Sequence, residues 1–181
     1  MAVRSRRLYP PSSLIFVLGD KNVLLYGSPY ITDILCGVSV RISPHSFYQV
    51  NRDTAEILYG IAKEYAAPEN KTVLDLYCGA GTIGLSMIKD YPESSLIGVE
   101  IIPDAVENAK ENAALNHMKN TKFICGDANS PEISEADVIV VDPPRKGCAS
   151  ELIKRIAEIS PSRVIYVSCN PDTLARDCKL F

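Results

Sequence analysis

Asp75-Leu76-Tyr77-Cys78-Gly79-Ala80-Gly81-Thr82-Ile83-Gly84 is the stretch from which the fold of this chain is read. It continues the apolar run Val73–Leu76, a candidate strand, and its glycines permit a tight turn into a helix and close approach of the backbone to a ligand. Gly79, Gly81 and Gly84 fit the G-x-G-x-x-G spacing, and Glu100 lies about 20 residues further on, at the end of the next candidate strand. A carboxylate there can accept both hydroxyls of a ribose, so the two features together predict an adenosine-containing cofactor. NAD and S-adenosylmethionine compete for that place. Asp75, inside the strand before the loop, would repel a pyrophosphate but suits the amino group of a methionine moiety, which favours S-adenosylmethionine. The plainer reading is a glycine turn that holds no ligand.

Outward from this loop, the chain from Lys71 on alternates strands with helices, the pattern of a parallel sheet covered by helices on its faces. Val73–Leu76, Leu96–Val99, Phe123–Cys125, Val138–Val141 and Val164–Val167 read as strands. Helices are expected near 82–90, 103–115 and 149–159; the second carries Val106, Ala109 and Ala113 on one face and opens on Pro103, and the third carries Leu152, Ile153, Ile156 and Ile159. Right-handed crossovers then bring every loop that follows a strand to one edge of the sheet, where such folds bind ligands. The fold class is α/β, Rossmann-like.

Residues 1 to about 45 differ in kind. Leu14–Leu18, Val23–Tyr26 and Val38–Ile42 read as short strands broken by Gly19-Asp20, Gly27-Ser28-Pro29 and Ser43-Pro44, an antiparallel patch. Asn51 is placed to cap a helix with Leu58, Ile61, Ala62 and Tyr65 on its apolar face. Pro68-Glu69-Asn70 reads as a linker, so residues 1–68 are expected to lead into a cofactor-binding unit over 69–181.

With 181 residues, 46% apolar and 23% charged, the composition is that of an ordinary globular protein. The net charge of −3 does not announce a nucleic-acid partner. Six cysteines at 36, 78, 125, 148, 169 and 178 form no C-x-x-C pair and are joined by two histidines, which argues against metal and against a disulfide framework and for a reducing, cytoplasmic setting. No apolar run is long enough for a membrane helix. Arg4, Arg6 and Arg7 ahead of Leu14–Leu18 faintly suggest an organellar presequence, though a strand of the folded protein reads better.

Two further stretches carry reactive groups. The fourth strand of the alternating region ends in Asp142-Pro143-Pro144-Arg145, where prolines forbid helix and hold a carboxylate at the sheet edge. Asp142 either accepts from a planar base edge or caps a loop; Arg145 and Lys146 either meet phosphate or are simply solvated. The fifth strand runs into Ser168-Cys169-Asn170-Pro171-Asp172, in which Asn170 suits a helix N-cap and Pro171 the first helical position. Cys169 thus falls where a strand meets a helix N-terminus, a place that favours a thiolate and hence a nucleophile. The bland alternative is a buried core thiol.

Taken together, Ser43-Pro44-His45-Ser46-Phe47-Tyr48-Gln49-Val50-Asn51, the glycine loop, Gly98-Val99-Glu100, Asp142-Pro143-Pro144-Arg145-Lys146-Gly147 and Ser168-Cys169-Asn170-Pro171-Asp172-Thr173-Leu174-Ala175-Arg176-Asp177 resemble the RNA uracil-5-methyltransferases, in order from about residue 40 to the end. The resemblance implies a Rossmann-like class I methyltransferase sheet preceded by a small antiparallel segment and a helix. It implies that Cys169 adds to carbon 6 of a uracil in tRNA or rRNA. Gln49, Tyr77, Glu100 and Asp142 match the family's cofactor-contacting positions and Thr82 another, beside Gly79 and Gly81 of the loop. Asp142 also lies near the target base in the family, Phe47 suits stacking on bases, and Arg145 is placed for phosphate. A base that must be unstacked for attack implies a loop or a flipped nucleotide.

The family continues beyond Phe181 with two more strands and a glutamate that removes the carbon-5 proton, and no residue here matches that glutamate. Its usual N-terminal RNA-binding barrel is also absent. The resemblance therefore implies a fragment, whose last strand is left as a bare edge open to self-association. Other readings are an amino-group methyltransferase using the Asp-Pro-Pro motif, a cofactor- or RNA-binding module without activity, and a dehydrogenase.

Overall fold

A computed structural model describes residues 23–44, 47–129 and 133–181. In chain order the elements are β1 (Ile31–Leu35), β2 (Val38–Ile42), α1 (Arg52–Ala66), β3 (Thr72–Leu76), α2 (Thr82–Ile88), β4 (Ser95–Glu100), α3 (Pro103–Leu115), β5 (Thr121–Cys125), β6 (Val138–Val141), α4 (Ser150–Ile159), β7 (Arg163–Tyr166) and α5 (Pro171–Cys178). β3 to β7 form one parallel sheet in the order β5-β4-β3-β6-β7, and β1 and β2 form a separate antiparallel pair. The Rossmann-like α/β reading holds.

Period-2 alternation divides the core between the two faces of the sheet. Val73, Val138 and Val140 pack with α1, α2, α3 and the hairpin; Leu74, Leu76, Ile139 and Val141 pack with Leu152, Ile153 and Ile156 of α4. All four residues of β6 are buried, as expected of a central parallel strand. Leu35, Val38, Val40 and Tyr59 share one apolar cluster with Val73 and Leu85, so the hairpin and α1 contribute to the same core as the sheet.

Two expectations for the N-terminal part need correction. Val23–Tyr26 is not a strand: its four side chains are exposed, and strand-forming residues with no sheet to pack on have little reason to be extended. The strand that pairs with β2 is Ile31–Leu35, joined through Cys36 and Gly37 at φ 52° and 74°, the positive pair required by a two-residue hairpin turn. Leu14–Leu18 lies outside the described residues. The second correction concerns α1. Asn51 caps it as expected, its side chain accepting from the Thr54 N–H at 3.3 Å, but the face turned inward is Ala55, Tyr59, Ala62 and Ala66. Of the expected face only Ala62 is buried; Leu58, Ile61 and Tyr65 are exposed. Small side chains let the helix lie close against its neighbours, and the large apolar residues form a second stripe facing out.

The hairpin is fastened by side chains that the periodicity did not single out. Asn108 and Asn112 on one face of α3 and Asn116 at its C-cap stand four residues apart. Asn112 Oδ1 accepts from Arg41 N–H at 2.7 Å while its Nδ2 donates to Ala80 O at 3.0 Å; Asn116 accepts from Ser39 N–H at 2.9 Å and donates to Ser39 O at 2.7 Å. Asn108 Nδ2 donates to Ser43 Oγ at 2.8 Å. α3 thereby offers β2 a row of donors and acceptors like that of a neighbouring strand, and fixes where the segment after β2 begins.

Candidate functional site

Because the five strands are parallel, the turns after them open at one edge of the sheet. After β3, Cys78 N–H donates to Val99 O at 3.1 Å and Gly81 N–H to Cys78 O at 2.8 Å, so the loop is hooked over the end of β4 before α2 starts. Tyr77 takes φ 63°, a left-handed conformation uncommon for a non-glycine residue and often kept where a site requires it. Glu100, at the end of β4, accepts from Gly79 N–H through one carboxylate oxygen at 3.0 Å and from Ile102 N–H through the other at 2.9 Å. Each oxygen keeps a second lone pair for a hydroxyl.

Asp75 lies beneath this loop and is fully buried. Oδ2 accepts from Gly84 N–H at 2.9 Å; Oδ1 has no partner. Gly84 has no alternative here, since a Cβ would lie 2.5 Å from Leu96 Cδ1 and 2.8 Å from Asp75 Oδ2. Burial pushes the Asp75 carboxyl up to about 7 against the opposing Gly84 hydrogen bond, with the charges of Asp142 and Glu100 adding to the rise. Asp142, the residue after β6, is half-buried, and loss of hydration raises its carboxyl to about 6. Tyr59 of α1 joins the group. Its phenol is pushed up to about 12 by burial, is hydrogen-bonded to Thr82, and feels the charges of Asp142 and Asp75. Asp75, within reach of the charges of Asp142 and Glu100 and with one oxygen orphaned, suits a positively charged group and repels a pyrophosphate.

β7 leads through Val167 to Ser168 and Cys169, and Cys169 is exposed rather than packed in the core. Asn170 caps α5, accepting from Asp172 N–H at 3.1 Å, and donates from Nδ2 to Arg145 O at 3.3 Å. That bond ties the cysteine turn to the loop after Asp142. Ser168 Oγ donates to Asn170 O at 2.9 Å and accepts from Asn170 N–H at 3.1 Å, which fixes the turn locally.

The charges of Glu100 and Asp142 reach Asp75, Gly79 is bonded to Glu100, and Thr82 to Tyr59. The Tyr77 side chain packs instead with the cluster on the α4 face, and Cys169 lies in the turn after β7, the strand paired with β6, which Asp142 follows. The Tyr77 hydroxyl donates to Asn129 Oδ1 at 3.2 Å, and the residue lines a cavity of about 340 Å³ with Cys148, Lys146 and Arg176. Arg145 is exposed. Phe47 is exposed and Gln49 half-buried on the segment between β2 and α1, and no hydrogen bond to the carboxylates holds either of them. Tyr48 between them is anchored, donating to Asp33 Oδ2 at 2.8 Å. His45 and Ser46 of the same motif lie outside the described residues.

Tyr59 escaped the sequence reading because the face of α1 was drawn through the larger residues. Asp127, in the turn after β5 with Oδ1 accepting from Asn129 N–H at 2.9 Å, also stands at this edge; the signal for it was its place directly after a strand and Gly126. Among the described residues no group of three or more His, Cys, Asp or Glu side chains is arranged to hold a metal ion, and no helix is long and apolar enough to cross a membrane.

Residues 68–179 match the family described as a methyltransferase domain. An uncharacterized RNA methyltransferase of Bacillus cereus is 46% identical over 177 residues, covering 94% of this chain and 38% of its own length. One of Enterococcus faecalis is 45% identical with the same coverage of 94% and 38%. The chain therefore spans about two-fifths of the length of these relatives. Among solved structures, Pyrococcus abyssi tRNA (uracil-54, C5)-methyltransferase in complex with S-adenosyl-L-homocysteine superposes with a TM-score of 0.83 at 32% identity, over 94% of this chain and 42% of that one. Trm5b of the same organism shares the fold at a TM-score of 0.61 and 20% identity, over 80% and 43%.

Proposed function

This chain belongs to the methyltransferase-domain family, and from that premise we propose that it methylates carbon 5 of a uridine in tRNA or rRNA, using S-adenosylmethionine and a covalent bond from Cys169 to the base. The observation that carries the proposal is the position of Cys169: exposed, on a turn tied by Asn170 to the loop that bears Asp142, at the sheet edge where the glycine loop opens. The likeness to a uracil-54 methyltransferase bound to S-adenosyl-L-homocysteine supports it.

Residues 69–181 form the cofactor-binding unit, and residues 1–68 lead into it. Glu100 accepts the ribose hydroxyls, Gly79 and Gly81 let the backbone approach, and Tyr77, Thr82 and Gln49 contact the cofactor. Asp142 borders both cofactor and base. The unpartnered oxygen of Asp75 supplies the negative counterpart for the cofactor's amino group. When bound, S-adenosylmethionine supplies an electrophilic methyl group on a sulfonium.

Carbon 5 of uracil is too weak a nucleophile for that methyl. The Cys169 sulfur adds to carbon 6, and the electron pair of the broken 5,6 double bond passes to carbon 5, whose new bond to the methyl would form as the methyl's bond to the sulfonium sulfur breaks, that electron pair remaining on a neutral thioether. A base then takes the carbon-5 proton, the double bond re-forms, and Cys169 leaves with its electron pair. Phe47, exposed ahead of α1, stacks on an unpaired base, and Arg145 meets phosphate. The setting is the cytoplasm.

The test is incubation with S-adenosylmethionine and RNA carrying 5-fluorouridine. Fluorine at carbon 5 cannot leave as a proton does, so the reaction stops with Cys169 still attached. A protein–RNA species that survives denaturation and is lost in Cys169→Ala supports the proposal; tight cofactor binding with no such species contradicts it.

A further inference from the structure

Asp177 is fully buried on a short helix whose neighbours are mostly exposed, and nothing in the reaction above uses it. Three donors converge on it from three parts of the chain, one of them from a guanidinium that also pairs with its charge. Cys148 N–H, in the turn after Asp142, reaches Oδ2 at 2.8 Å. The Tyr166 hydroxyl, at the end of β7, reaches the same oxygen at 2.7 Å. Arg176 donates from Nε to Oδ1 at 2.7 Å, and its guanidinium forms an ion pair with the same oxygen, Nη2 lying 2.6 Å away. Burial alone would push the Asp177 carboxyl up, but the Tyr166 hydroxyl, the Cys148 amide and Arg176 hold it below its ordinary value, so it is a charged anchor at neutral pH.

The same hub returns to the Asp142 loop by a second route. Arg176 Nη2 donates to Lys146 O at 2.9 Å, and Asn170 Nδ2 to Arg145 O at 3.3 Å. Gly147 lies under the junction, where a Cβ would come within 2.5 Å of both Arg176 Nη2 and Asp177 Oδ2. The two loops proposed to carry the chemistry, 142–148 and 168–170, are thus joined at both ends of α5, by the cap at its start and by the buried carboxylate near its end.

We infer that Asp177, held by Arg176 and Tyr166, is a positioning residue that locks the Cys169 turn and the Asp142 loop into one register, so that the thiol and the loop address the same base. The coupling stands on the contacts alone; its consequence for methylation rests on the proposed role of Cys169. A buried carboxylate satisfied by three donors and an ion pair is costly to disturb singly, because each lost acceptor strands a donor.

The test uses the full chain with Asp177→Asn and Tyr166→Phe. Asparagine keeps the size and one oxygen for Cys148 and Tyr166 but turns N–H groups toward Arg176; phenylalanine removes one donor and leaves the carboxylate. Hydrogen exchange of residues 143–148 and 168–172 should rise together, at least tenfold in Asp177→Asn and less in Tyr166→Phe, while β3, β4 and β5 keep wild-type protection. Adduct formation on 5-fluorouridine RNA should fall at least tenfold at saturating RNA in Asp177→Asn, with the half-saturating RNA and cofactor concentrations within twofold of wild type. A residue that merely held the fold together would loosen the sheet as well and would move all three parameters. Loosening confined to α5, or wild-type exchange in both loops, overturns the inference; so does a wild-type rate of adduct formation. If wild-type protein itself forms no adduct, the proposed function fails, and hydrogen exchange still decides the coupling. Should Asp177→Asn not fold, Tyr166→Phe carries the same comparison.

Discussion

Asp75 is where the physical chemistry of single residues shows most plainly. An unfolded aspartate titrates near 3.9, and in the folded chain this carboxyl is raised to about 7. Between those values the folded state holds a proton that the unfolded chain has released. The contribution of Asp75 to stability therefore falls as pH rises through this window, by an amount on the order of a few kcal/mol. Asp142, raised to about 6, acts in the same direction over a narrower range. The thermal midpoint of the ligand-free protein should drop from pH 5 to pH 8, and Asp75→Asn should flatten that slope; a midpoint that climbs steadily over the same range in wild type would contradict the assignment. Cofactor affinity carries the opposite dependence. A cation beside Asp75 favours the charged carboxylate, so binding expels a proton and weakens as pH falls below about 7. Titration calorimetry in buffers of different ionisation enthalpy reads that proton directly. Gly84→Ala tests the packing around the same group: its methyl meets Leu96 and Asp75, and about 1–3 kcal/mol of stability should be lost in chemical denaturation.

Among the elements, what the sequence made legible and what it hid divide along a physical line. All five strands of the parallel sheet and the caps on Asn51 and Asn170 were readable, because apolar runs and capping residues act locally. The β1–β2 turn was missed although Cys36-Gly37 has the form of a hairpin loop, since the polar Asp33 interrupts the alternation of Ile31–Leu35. α1 was turned the wrong way because hydrophobicity ranks Leu58 and Ile61 above Ala55 and Ala66, whereas a helix that must lie close to another buries its small residues. Asn112 was invisible because its value lies in partners that are distant in the chain. Its removal by Asn112→Ala strands the Arg41 amide and the Ala80 carbonyl and should cost about 1–3 kcal/mol in urea unfolding, with the loss seen as exchange of β2 amides. Loss of β2 protection with no change in the parallel sheet is the expected pattern; equal loss everywhere would show that the hairpin and sheet unfold as one unit.

For the molecule as a whole, the described residues leave β7 at the end of the sheet, and Ile61 and Tyr65 of α1 exposed. The two features adjoin, since Arg163 of β7 donates to the carbonyl of Tyr65. An open strand beside an apolar stripe is a template for pairing, so we expect the isolated chain to self-associate. Sedimentation should show a mass that rises with concentration, and Ile61→Lys should raise the dissociation constant about tenfold, roughly 1.4 kcal/mol. A monomer at every concentration would remove this expectation without touching the chemistry of Cys169. The site itself was legible to an unequal degree. The glycine loop, Glu100, Asp142 and Cys169 of the candidate site stand in a line of sequence motifs, whereas Tyr59 beside Asp75 and Asp177 beside the Asp142 loop are recognised only through packing.

The most direct measurement is mass spectrometry of the protein after reaction with S-adenosylmethionine and a 5-fluorouridine oligonucleotide, followed by nuclease and protease digestion. One modified peptide is expected, carrying a fluorinated, methylated uridine on the sulfur of Cys169 and absent from Cys169→Ala. The nucleotide found on Cys125, Cys178 or any other residue, or a methylated oligonucleotide released with no covalent species at all, would contradict it.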